Sequence, residues 1–123
     1  MTEQRDPRVY LAAERTLLAW LRTGLTVVAL GFVVARFGVF EHWVHPKADA
    51  GSHSAGASLA LGVALTVLGS AAMAAAGVQH WRLCRRLRPD ALPQGYSPAV
   101  GVWFAAALVA GGLVLGGFLL LRA

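Results

Sequence analysis

Three apolar runs, each near the length needed to cross a lipid bilayer, constrain this chain more than any other feature. A helix rises ~1.5 Å per residue and a hydrocarbon core is ~30 Å thick, so roughly 20 mostly apolar residues suffice. Runs of that length lie at about Leu17–Phe40, Ser58–Gln79 and Ala99–Leu121. Composition agrees, with 57% hydrophobic and 14% charged residues in a chain of 123, against roughly 45–50% and about 25% in soluble domains. In lipid every backbone amide must be bonded within the structure, and helices achieve this alone. The predicted fold class is all-α: a single integral membrane domain over 1–123, with three transmembrane helices at about 7–40, 58–88 and 98–121. The segment Glu41–Ala57, rich in His, Ala, Gly and Ser, reads as the first loop, and Pro89, Pro93, Gly95 and Pro98 mark the second.

Charge placement predicts the topology. Arg5, Arg8, Arg15 and Arg22 precede or open the first span, and Arg82, Arg85, Arg86 and Arg88 follow the second. Only Lys47 and Arg122 lie beyond the membrane on the other side, with Arg36 near that end of the first span. The positive-inside rule then places the amino terminus and second loop in the cytoplasm and the carboxyl terminus outside, as in a multi-pass inner (plasma) membrane protein. Trp20 and Trp81 mark the inner interface and Trp43 the outer one. Ala48 and Ala50 after an apolar run imitate a signal-peptide cleavage site, but the basic leader and the apolar run are both too long for one. The formal charge of +5 is thus a matter of topology, and nucleic acid is not an expected partner. Cys84, the single cysteine, excludes an internal disulfide and reads as an inert thiol.

The first helix carries the unusual chemistry. Asp6 and Pro7 form a good helix start, and no breaker follows before Phe40. Such a helix extends ~50 Å, so its first turns project beyond the membrane as a cytoplasmic extension. Arg8, Arg15 and Arg22 recur every seven residues, near two turns, and stack on one side beside Thr16 and Thr23. Tyr10, Ala13, Leu17 and Trp20 form an apolar series on another side. Arg36 lies seven residues before Trp43, about 10 Å inside the outer interface, where an unpaired guanidinium is expensive. The other two spans hold no acidic residue, so its expected partners are backbone carbonyls, hydroxyls such as Ser58 or Thr66, another subunit or a hydrated anion. Glu14 has no cation at its i±3 and i±4 positions and is expected to pair with Arg85 or Arg88 of the antiparallel second helix.

Small residues predict the helix contacts. The third span offers Gly112 and Gly116, four apart, beside Gly111 and Gly117; the second offers Gly62, Thr66 and Gly69, with a hydroxyl able to bond across helices. Packing within one subunit is the first expectation for these glycines, a subunit interface the second. Three helices enclose no channel, so any pore requires a homo-oligomer. His42, His45 and His53 with Asp49 are too loosely spaced to predict a metal site, and His80 beside Trp81 reads as an interfacial residue. No nucleophile with its base, no phosphate-cradling loop and no paired carboxylates occur, so neither enzyme activity nor a cofactor is expected.

The run from Asp6 to Leu25, DPRVYLAAERTLLAWLRTGL, continued by GFVVARF at Gly31–Phe37, closely resembles the signature of the YidH-like family of small inner-membrane proteins. The family is a domain of unknown function with three membrane helices. Arg8-Val9-Tyr10 and Glu14-Arg15-Thr16 also resemble the membrane domain of the vacuolar transporter chaperone complex, whose subunits form a polyphosphate-conducting pore. The resemblance implies pore-side cations at Arg8 and Arg15 and a structural acid at Glu14. Two functions follow as expectations. One is an oligomeric channel or binding protein for phosphate or polyphosphate, lined by Arg8, Arg15, Arg22 and Arg36. The other is a non-transporting membrane adaptor or scaffold that holds anionic lipids or an acidic protein partner.

Overall fold

The computed structural model describes residues 7–44, 51–86, 97 and 99–121. They form three helices: α1 (Pro7–Val44), α2 (Gly51–Arg86) and α3 (Ala99–Leu121). No strand occurs among the described residues. All three helices are long and apolar enough to cross a membrane. The chain is an all-α, multi-pass membrane protein. At 38 and 36 residues, α1 and α2 extend ~57 and ~54 Å and overhang a ~30 Å core, whereas α3, with 23 residues, nearly matches it at ~35 Å.

The helix ends correct one expectation. Glu41–Val44 continue α1 and residues 51–57 open α2, so both ends of the predicted first loop are helical, while residues 45–50 lie outside the described residues. The sequence explains both ends. Pro46 is the first residue after Pro7 that cannot continue a helix, and it also disfavours helical backbone at the residue before it. Once a span has nucleated, adding alanine-rich turns such as Ala55 and Ala57 costs little. Where α3 begins, the Val100 amide donates to the Ser97 carbonyl at 3.3 Å.

Helices α1 and α2 form an antiparallel pair with the most extensive contact, and α3 packs mainly on α2. Buried positions on α1 are Tyr10, Leu17, Leu21, Gly24, Val28, Gly31, Ala35 and Gly38, which from Leu17 onward alternate four and three apart and keep one narrow seam against a neighbouring helix. On α2 the seam is Gly62, Thr66, Gly69, Met73, Ala76 and His80, with the same alternation. Two glycine pairs bring the backbones together. A Cβ on Gly31 would lie 2.6 Å from the Gly62 carbonyl oxygen, and one on Gly69 would lie 2.6 Å from that of Gly24. Leu17, Leu21 and Val28 of α1, Met73 and Ala76 of α2 and Ala105 of α3 form the apolar core where the three helices meet. Large apolar side chains such as Phe37, Trp103 and Val114 point outward, as the lipid-facing surface of a membrane bundle requires.

Candidate functional site

Every arginine of the α1 series stands two residues before a buried seam position. Arg8 precedes Tyr10, Arg15 precedes Leu17, Arg22 precedes Gly24 and Arg36 precedes Gly38. Two residues correspond to ~200° around a helix of 3.6 residues per turn. The four guanidinium groups therefore leave α1 on its outer face, and all four residues are exposed. Neither α2 nor α3 covers that face. Ala29, halfway between Arg22 and Arg36, is also exposed and continues the heptad position. From Arg22 to Arg36 the helix advances about 21 Å, less than a ~30 Å hydrocarbon core. A span placed across the bilayer thus carries guanidinium-bearing residues below its polar boundary.

Hydroxyls beside the stripe are already bonded. Thr16 donates to the Ala12 carbonyl at 3.0 Å, Thr23 to Ala19 at 3.0 Å and Thr26 to Arg22 at 2.8 Å. Such bonding to the turn below satisfies the hydroxyl without a partner from outside. The same applies at the buried seam, where Thr66 donates to the Gly62 carbonyl at 2.9 Å and Ser70 to Thr66 at 2.9 Å. The expected hydroxyl bond across helices from Thr66 is therefore replaced by one within its own helix.

The four glycines singled out from the sequence pack within the chain. Gly62 and Gly69 meet α1, while a Cβ on Gly112 would strike the Ser70 hydroxyl and one on Gly116 would lie 3.5 Å from Thr66 Cγ2. Gly111 has open space around it, as does Gly117. The α1 partners Gly24 and Gly31 were legible only as a second seven-residue spacing that matches Gly62 and Gly69.

At the end where α1 begins and α2 finishes, a small polar junction forms. Tyr10 and His80 are both buried, their ring centroids 6.2 Å apart and their planes at 57°. Cys84 Sγ lies 3.4 Å from His80 Nε2. A Cβ on Gly101 of α3 would come within 3.8 Å of the same nitrogen, so all three helices converge here. His80, read from the sequence as an interfacial residue beside Trp81, is 5% exposed and packed inside the bundle. Its place in the 4–3 series of α2 was the signal that could have found it. Glu14 is half-buried one turn beyond Tyr10. The expected ion pair between Glu14 and Arg85 is not formed among the described residues; the Arg85 guanidinium sits over the Trp81 ring, 4.7 Å from its centroid. Stacking on a neighbour one turn away orders the guanidinium while leaving it hydrated, which a reach across to α1 does not. Arg88 lies outside the described residues.

Among the described residues no group of three His, Cys, Asp or Glu side chains converges to hold a metal. The side chains of His42, His45, Asp49 and His53 fall outside them. The family model for the domain of unknown function DUF202 matches residues 8–86. That segment contains all of α1 but Pro7, all of α2, the arginine face, both glycine pairs and the Tyr10–His80 pair. No curated protein and no solved structure matches the chain.

Proposed function

The chain belongs to DUF202, the YidH-like family of small membrane proteins, and we propose that its copies assemble around a shared site or pathway for phosphate-rich anions, lined by the arginine face of α1. The proposed role involves no catalysis. The proposed setting is the inner membrane, with the amino terminus in the cytoplasm and the carboxyl terminus outside, in keeping with the arginines at the start of α1 and the end of α2.

One observation carries this reading: Arg8, Arg15, Arg22 and Arg36 share the exposed face of α1, opposite its packed seam. In an isolated protomer the part of that face that carries Arg22 and Arg36 meets lipid, where guanidinium groups are costly, even though long side chains reach toward the headgroups. Copies that turn these faces toward one another exchange hydrocarbon for a hydrated interior. Like charges so gathered repel, and an anion between them offsets the repulsion. The likeness of Arg8-Val9-Tyr10 and Glu14-Arg15-Thr16 to a polyphosphate-conducting pore domain favours a phosphate-rich anion as the occupant.

The test is ion flux through purified protein in planar bilayers, with chloride, phosphate and polyphosphate as permeants. Anion-selective conductance that disappears in the Arg15→Ala/Arg22→Ala double variant is the expected result. Conductance unchanged in that variant overturns the proposal. An absence of any flux, together with a stoichiometric acidic partner on purification, assigns the arginines to the adaptor role instead.

A further inference from the structure

On the α2/α3 side of the bundle a groove of about 480 Å³ runs down the surface, and α1 contributes nothing to it. Its volume lies within the roughly 300–1,000 Å³ of ordinary ligand clefts. The floor is apolar, formed by small residues such as Gly77, Ala105 and Ala106, with Val109 and Leu113 farther along. Trp81 stands at one end, level with Val102. Along α3 the groove extends from Val102 to Leu113, eleven residues or about 17 Å. That is close to half of a ~30 Å hydrocarbon core. The groove therefore covers one leaflet, starting from the end of the bundle that carries the arginines.

The Trp81 end is strongly basic. Arg85 lies over the Trp81 ring, 4.7 Å from its centroid, and Arg82 and Arg86 are exposed beside it. We infer that this groove holds an acyl chain of an anionic phospholipid, whose phosphate rests on the Arg85 guanidinium at the Trp81 end. Arg85 is ordered by the ring beneath it, so little conformational freedom is lost when it meets a phosphate. Basic residues at a membrane surface attract anionic headgroups. The length of the groove selects a lipid tail over a helix, because a transmembrane helix from another copy needs a track through both leaflets. Charge selects likewise: a parallel second copy brings its own Arg82, Arg85 and Arg86 to the same level, where they repel. The inference needs only the membrane embedding and is independent of the arginine face of α1.

Native mass spectrometry of protein extracted from bilayers of phosphatidylglycerol and phosphatidylcholine tests it. The parent should retain phosphatidylglycerol in preference to phosphatidylcholine, and Arg85→Ala should lower that retention about fivefold, the effect of one basic residue at an anionic surface. Ala106→Phe fills the groove from an exposed position and should displace the lipid with helix content unchanged by circular dichroism. Equal retention of the two lipids by the parent overturns the inference, as does phosphatidylglycerol retention unaltered in both variants. A change in subunit number on Ala106→Phe, with lipid retention unaltered, assigns the groove to a second copy and overturns it too.

Discussion

Gly31 of α1 and Gly62 of α2 meet backbone to backbone, so close that a Cβ on Gly31 would lie 2.6 Å from the Gly62 carbonyl oxygen and 2.8 Å from the Thr66 amide. Both neighbours are backbone atoms and cannot swing aside. Gly31→Ala must therefore separate the helices, and it should destabilise the bundle by ~1–3 kcal/mol, the usual cost of overpacking. Gly111→Ala is the contrast, since nothing lies within 4 Å of a Cβ there. That change should be neutral or stabilise by up to ~1 kcal/mol, because alanine restricts the unfolded chain. Denaturation in detergent micelles, followed by circular dichroism, measures both; equal losses would show that the glycine contact is not what seats α1 on α2.

Ser70 and Gly112 make a testable pair at the α2/α3 contact. A Cβ on Gly112 would strike the Ser70 hydroxyl, whereas the Ser70 Cβ is at 3.5 Å, ordinary van der Waals distance. Gly112→Ala alone turns that hydroxyl away from the Thr66 carbonyl it bonds and should cost about 1 kcal/mol, the worth of one hydrogen bond. In a Ser70→Ala background the obstructing hydroxyl is gone, and the same change should cost much less. A double-mutant cycle reports this as a coupling of ~1 kcal/mol. Additive losses would mean that α3 sits on α2 through other contacts.

Arg85 had two possible partners, Glu14 of α1 and Trp81 of its own helix, and the structure places it over Trp81. A cycle between Arg85→Ala and Trp81→Ala should give a coupling of ~0.5–1 kcal/mol, the range for an exposed cation–π contact. Exchanging charges with Glu14→Arg/Arg85→Glu should restore nothing that either single change loses. Recovery of stability in the exchanged protein would move the guanidinium back to Glu14.

Much of this arrangement is legible in the sequence, because lipid leaves a helix few alternatives. The apolar runs located all three spans, and heptad spacing put Arg8, Arg15 and Arg22 on one face before any contact was known. The ends of the first loop were misjudged at Glu41–Val44 and at residues 51–57: polar and small residues there resemble a loop but contain no breaker, and a helix already formed extends through them. His80 was hidden by its neighbour Trp81, whose interfacial signal outweighed the 4–3 series on which His80 falls. Gly112 and Gly116 stand out from Gly111 and Gly117 only by their spacing of four, since α3 is apolar around its whole circumference and no polar face fixes its rotation. The outward arginines belong to a different kind of limit. A single chain specifies that they leave the seam, but what meets them depends on molecules outside it.

Ala29 separates a wet arginine face from a lipid-facing one. It lies seven residues from Arg22 and seven from Arg36 and is exposed on the same side of α1. Near the membrane centre an arginine can reach toward headgroups, but a cysteine side chain has no such reach. In a Cys84→Ser background, the Ala29→Cys thiol should react with a water-soluble methanethiosulfonate in proteoliposomes, since only the ionised thiol reacts and ionisation needs water. Val114→Cys on α3, at a position 72% exposed and deep in its span, should stay unmodified because that surface meets hydrocarbon. Reaction at position 29 alone requires water along the stripe, which one protomer cannot enclose. Protection at both positions would leave the four guanidinium groups anchored to headgroups from a lipid-facing helix, and the shared anion site would be lost.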